Sequence, residues 1–75
     1  MSRELKDKIE YIMLCVDKFA DAKGLSRSEA CNYLHAYNGL SFLDEFYPEE
    51  STLSARIMIE DVSDICRNNG GVPTW

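Results

Sequence analysis

The chain has no apolar run approaching the roughly 20 residues that a membrane span requires, so no crossing is expected. No secretory h-region with a cleavage site appears either, which makes the expected location cytoplasmic. Cys-x-x-Cys is absent, and three cysteines cannot all pair within one chain. They read as free, buried thiols in a reducing compartment. Gly-x-Ser-x-Gly, a glycine-rich phosphate loop and His-Glu-x-x-His are also missing. Basic residues are scarce in the second half. Residues 39–75 carry seven acids (Asp44, Glu45, Glu49, Glu50, Glu60, Asp61, Asp64) against Arg56 and Arg67, whereas residues 1–38 balance six acids with six bases. The net charge of −5 therefore lies wholly beyond Asn38, on a surface that repels phosphate backbones and attracts a basic partner.

What the chain does have is helix punctuation. Gly24-Leu25-Ser26-Arg27-Ser28-Glu29 reads as the exit of one helix and the boxed start of the next: Ser26 can accept from the Glu29 N–H while the Glu29 carboxylate reaches back to the Ser26 N–H. Ahead of this, Leu5, Ile9, Ile12, Val16 and Phe19 recur at helical spacing, widened by Met13 and Ala20, and predict a helix capped by Ser2 and running to Lys23. A second helix is expected over 27–37, with Ala30, Leu34 and Tyr37 on one face, closed by Asn38-Gly39. A short third helix should be capped by Ser41, carry Phe42, Leu43 and Phe46, and stop at Pro48. Glu49-Glu50-Ser51-Thr52 reads as a polar connection. The last helix is expected from near Ser54, with Ser51 as the other candidate cap, Leu53 and Met58 as a staple and Ala55, Met58, Val62 and Ile65 facing inward, ending at Asn68-Asn69-Gly70-Gly71. The expected fold is all-α: a compact bundle of three main helices plus one short helix, with no sheet. Residues 1–71 form one domain and 72–75 an extended tail. So small a domain buries only about 60% of its unfolded surface and has little stability to spare, so a homodimer is a reasonable expectation.

Candidate chemistry is sparse. Cys31 and His35 lie one helical turn apart and, with Cys15 and Cys66, could form a zinc set, but the spacing is unlike compact zinc modules. The cysteines read better as small hydrophobes beside the core, and no metal or cofactor is expected. The same Cys–His pair lacks a visible orienting group or oxyanion donor, so no enzyme is expected. Glu60, Asp61 and Asp64 read as a solvated helix face. Residues 27–47 superficially resemble a helix-turn-helix, but the second element, Phe42-Leu43-Asp44-Glu45-Phe46-Tyr47, carries no Arg or Lys, so nucleic acid is not an expected partner. Aromatic residues exceed what a core this size needs. Tyr37, Phe46 and Tyr47, beside Asp44, Glu45, Glu49 and Glu50, form the candidate partner surface for a basic protein.

The pattern Ser26-x-x-Glu29-Ala30-x-Asn32-Tyr33-Leu34, then Tyr37-x-Gly39-Leu40-x-Phe42-Leu43-x-Glu45-x-Tyr47, then Thr52-Leu53-Ser54 and Glu60-Asp61-Val62, resembles a small bacterial family, the domain of unknown function 3791. The Asn68-Asn69-Gly70-Gly71 ending is similar as well, so the resemblance spans almost the whole chain. Its motifs are packing and capping residues, and it offers no active-site residues to transfer. Members are often encoded beside an ADP-ribosyltransferase-like toxin, which implies an antitoxin or accessory role. The functional expectation is a non-enzymatic helical protein-interaction module, with a helix-turn-helix transcriptional regulator as the alternative.

Overall fold

The computed structural model describes residues 3–71, apart from the Glu4 side chain. The Ser2 cap, the tail 72–75 and Trp75 lie outside the described residues. Five helices follow one another: α1 (Arg3–Lys23), α2 (Arg27–Ala36), α3 (Gly39–Glu45), α4 (Tyr47–Glu50) and α5 (Ala55–Asn68). No strand occurs among the described residues.

The α1–α2 corner forms as its residues dictate. Gly24 takes a positive φ of 68°, and both hydrogen bonds of the Ser26–Glu29 capping box are made at 3.1 Å. The box also holds the Glu29 carboxyl below its usual range, chiefly through the Ser26 N–H. An exposed ion pair, Arg27 to Asp17 at 2.9 Å, adds little to stability but agrees with the corner's geometry.

The middle of the chain departs from expectation. The third helix starts at Gly39, with no side-chain cap from Ser41. Asn38 absorbs the turn in the left-handed region (φ 67°), and its carbonyl receives the first helical bond from Phe42 N–H at 3.0 Å. Pro48 does not end a helix; it sits in the first turn of α4, where its missing N–H costs nothing. Glu49 and Glu50 are therefore helical, and the described residues form five helices instead of the expected four.

α2, α3 and α5 meet at Gly39. A Cβ there would lie 2.8 Å from Leu34 Cδ2, 3.0 Å from Cys66 Sγ and 3.2 Å from Val62 Cγ2. The Gly39 N–H, one of the donors that a helix start leaves unpaired, is directed to the Cys66 sulfur. Around this contact lies the core: Cys15, Val16, Phe19, Ala20, Ala30, Leu34, Leu43, Met58, Val62 and Cys66. In α5 the inward stripe is Met58, Val62 and Cys66. Ala55 is exposed, Ile65 is only partly buried, and of the expected staple pair Met58 is buried while Leu53 is exposed. At the far end the Tyr33 hydroxyl donates to Gly71 O at 2.8 Å, and a Cβ on Gly71 would meet Cys66 O at the same separation.

The first stripe is buried only in part. Val16, Phe19 and Ala20 are covered, but Leu5, Ile9 and Met13 are 46%, 40% and 49% exposed. The reason is length. At about 1.5 Å per residue α1 is about 31 Å long, whereas α2 is about 15 Å and α5 about 21 Å. The N-terminal half of α1 overhangs its cover.

Gly39→Ala is expected to destabilise the domain by about 1–3 kcal/mol through overpacking among Leu34, Val62 and Cys66. Urea unfolding followed by circular dichroism measures this; an unchanged midpoint would mean that the three-helix contact is looser than described.

Candidate functional site

Two features stand out beside the core: an acidic, partly apolar surface and a buried carboxyl beneath it. On the surface, α3 and α4 present Asp44, Glu45 and Glu49, all exposed, with Phe46 42% exposed between them. Phe46 leans on Phe42 (ring centroids 5.1 Å apart), and Tyr47 lies on Tyr11 of α1 at 5.4 Å. Lys8 of α1 reaches Asp44 at 3.2 Å and ties α3 to the overhanging half of α1. Leu5, Asp7, Lys8, Asp44, Glu45, Tyr47, Pro48 and Ser51 together line a groove of ≈ 640 Å³. Leu5 also begins the exposed stripe that continues through Ile9 and Met13, one turn apart.

Tyr37 belongs elsewhere. It packs against Tyr33 (5.1 Å) beside Gly71, at the α2–α5 end of the molecule. Six of the seven expected surface residues thus come from one continuous segment, and one of those six is not on the surface at all. Glu50 is 3% exposed, because the single turn of α4 directs it inward.

The Glu50 carboxyl is enclosed yet lies shallowly in this small domain. Neither of its oxygens has a hydrogen-bond donor. Burial first, then the neighbouring Asp61 carboxyl and the Glu49 charge, push its pKa up to about 7. A buried carboxyl without a partner favours its protonated form, and the Asp61 carboxyl nearby strengthens that preference. Asp61 is therefore not on a freely solvated face with Glu60 and Asp64; it is partly buried against Glu50.

Tyr11 and Cys15 of α1 border the same place. Burial is the main cause that raises both pKa values, and the Glu50 charge raises them further. The two groups lie close enough to bias each other's ionisation, but the Tyr11 hydroxyl completes no well-formed hydrogen bond.

The cysteines separate into two environments. Cys15 and Cys66 are buried, and burial lifts the Cys66 thiol to about 11 despite the opposing Gly39 N–H. Cys31 is exposed, as is His35, so the expectation of three core thiols fails at Cys31, which faces outward on α2. Among the described residues no group of three or more His, Cys, Asp or Glu side chains is placed to hold a metal ion. No described helix is long and apolar enough to cross a membrane.

Sequence reasoning missed α4 and the buried acid. A signal was present: Pro48 followed by Glu49 and Glu50 is a first-turn signature, with proline tolerated early and acids favoured at the positive helix end.

In the native chain a thiol reagent is expected to label Cys31 within minutes and to reach Cys15 and Cys66 only in denaturant; rapid labelling of all three would contradict the packing. Glu50 sets a pH dependence of definite sign. Its pKa is raised on folding, so its stabilising contribution is complete below the unfolded value of 4.5 and is lost as pH rises towards about 7. Wild type should be about 1–3 kcal/mol less stable at pH 8 than at pH 5, and Glu50→Gln should remove most of that difference in urea melts.

No curated protein and no solved structure matches the chain significantly. A family model described as Protein of unknown function (DUF3791) matches residues 10–69, from the middle of α1 to the C-cap of α5. The chain belongs to that family.

Proposed function

We propose that the chain is a non-enzymatic protein-interaction module that seats a basic amphipathic segment of another protein. The observation that carries this reading is the groove beside the α1 overhang: apolar Leu5, Tyr47 and Pro48 are joined by Asp7, Asp44 and Glu45, and the exposed stripe runs on through Ile9 and Met13. A helix with apolar residues on one face and Lys or Arg at its edges matches both the shape and the charge. The acid excess beyond Asn38 would steer such a partner, with an effect that weakens as salt rises.

The finer reading is an antitoxin or accessory role towards an ADP-ribosyltransferase-like toxin encoded nearby, since neutralising partners commonly act by covering a surface and need no chemistry of their own. DNA binding through α2 and α3 has less support. The seven residues of α3 include exposed Asp44 and Glu45 and no cation, so phosphates would be repelled.

Co-expression with the product of the adjacent gene tests the proposal. The two should co-purify at 50 mM salt, and Ile9→Asp with Met13→Asp should weaken binding at least about tenfold (about 1.4 kcal/mol) while the helical circular dichroism is kept. No association, or association indifferent to these substitutions, would overturn it.

A further inference from the structure

We infer that α4 is a proton-operated latch: the proton on the buried, unpartnered Glu50 carboxyl lets this turn lie down on the bundle, and its loss releases the turn. The geometry makes the proton necessary. A buried carboxylate without a donor is costly, and a second carboxylate beside it adds repulsion. Protonation of Glu50 removes the charge, and with it the larger desolvation cost and the repulsion.

The surrounding groups offer no other remedy. From α1, Tyr11 and Cys15 face the site, and burial keeps both protonated beyond neutrality. Glu49 adds a like charge from α4 and Asp61 another from α5. Glu50 forms no ion pair with any Lys or Arg among the described residues.

Once ionised, Glu50 reaches water most cheaply by local opening. α4 is four residues long, set between the break at Phe46 and the turn at Ser51 to Leu53. It meets α1 through the Tyr11–Tyr47 ring contact and α5 through Glu50 beside Asp61. Of the fully buried side chains, Cys15 borders this site and would be uncovered by the opening. Because Tyr47, Pro48 and Ser51 line the groove, opening would also reshape it. That last consequence rests on the interaction reading above; the latch itself does not.

The test uses the full chain without a partner. Contacts between the Tyr11 and Tyr47 rings are followed by nuclear Overhauser effects from pH 4 to 9, with circular dichroism recorded in parallel. The ring contact should be lost as pH rises, with a midpoint between 4.5 and about 7, while overall helicity persists. Glu50→Gln should keep the contact through pH 9. Asp61→Asn, whose amide can donate to ionised Glu50, should stabilise the charged form in place and preserve the contact above pH 7. A contact that ignores pH in wild type overturns the latch. So does loss with the same midpoint in both variants, or loss accompanied by unfolding of the whole domain. Failure to bind a partner would leave these outcomes unchanged, so the two proposals fail separately.

Discussion

The close approach of three helices at Gly39 is the constraint on which the remaining structure depends. Because this residue has no side chain, the first turn of α3 can press against Leu34 of α2 and against Val62 and Cys66 of α5. Asn38 makes the approach possible by taking the left-handed turn itself. The position of α3 follows, and with it Leu43 in the core, Asp44 beside Lys8, and Tyr47 on Tyr11. A bulkier residue at Gly39 would push α3 outward and loosen every one of these contacts.

Local punctuation was the part of this architecture that could be read from the sequence. The Ser26–Glu29 box, Gly24 and the Ser54 cap each act within four residues, so their chemistry is visible in order along the chain. Apolar spacing identified the buried faces at Val16, Phe19, Leu34 and Val62. It did not reveal that Leu5, Ile9 and Met13 are exposed, because periodicity orients a stripe and says nothing about how far a neighbouring helix extends. The inward place of Cys66 instead of Ile65 reflects a rotation of about 100°, one residue, which a stripe of mixed apolar residues leaves open. Glu50 was hidden for another reason. A glutamate in a polar run belongs in solvent by ordinary burial preferences, and only tertiary packing makes it an exception.

These two departures lie side by side and carry the functional reading. The exposed stripe supplies apolar area, and the acids of α3 and α4 supply charge. Glu50 is buried on the same short helix, α4, that gives the groove Tyr47 and Pro48. The candidate site was half legible: Asp44, Glu45, Phe46, Tyr47 and Glu49 were identified from composition and lie on or beside that surface. Tyr37 lies in a different aromatic pair, while Leu5, Ile9 and Met13, assigned to the core, are exposed.

The central claim is that the α1 overhang and the α3–α4 groove form one docking surface. Chemical-shift mapping on the isotopically labelled chain, titrated with the product of the adjacent gene, tests it directly. The account predicts perturbations concentrated at Leu5, Ile9, Met13, Asp44, Glu45 and Tyr47. Perturbations centred instead on Cys31, Asn32 and His35, or none at saturating partner, would contradict it.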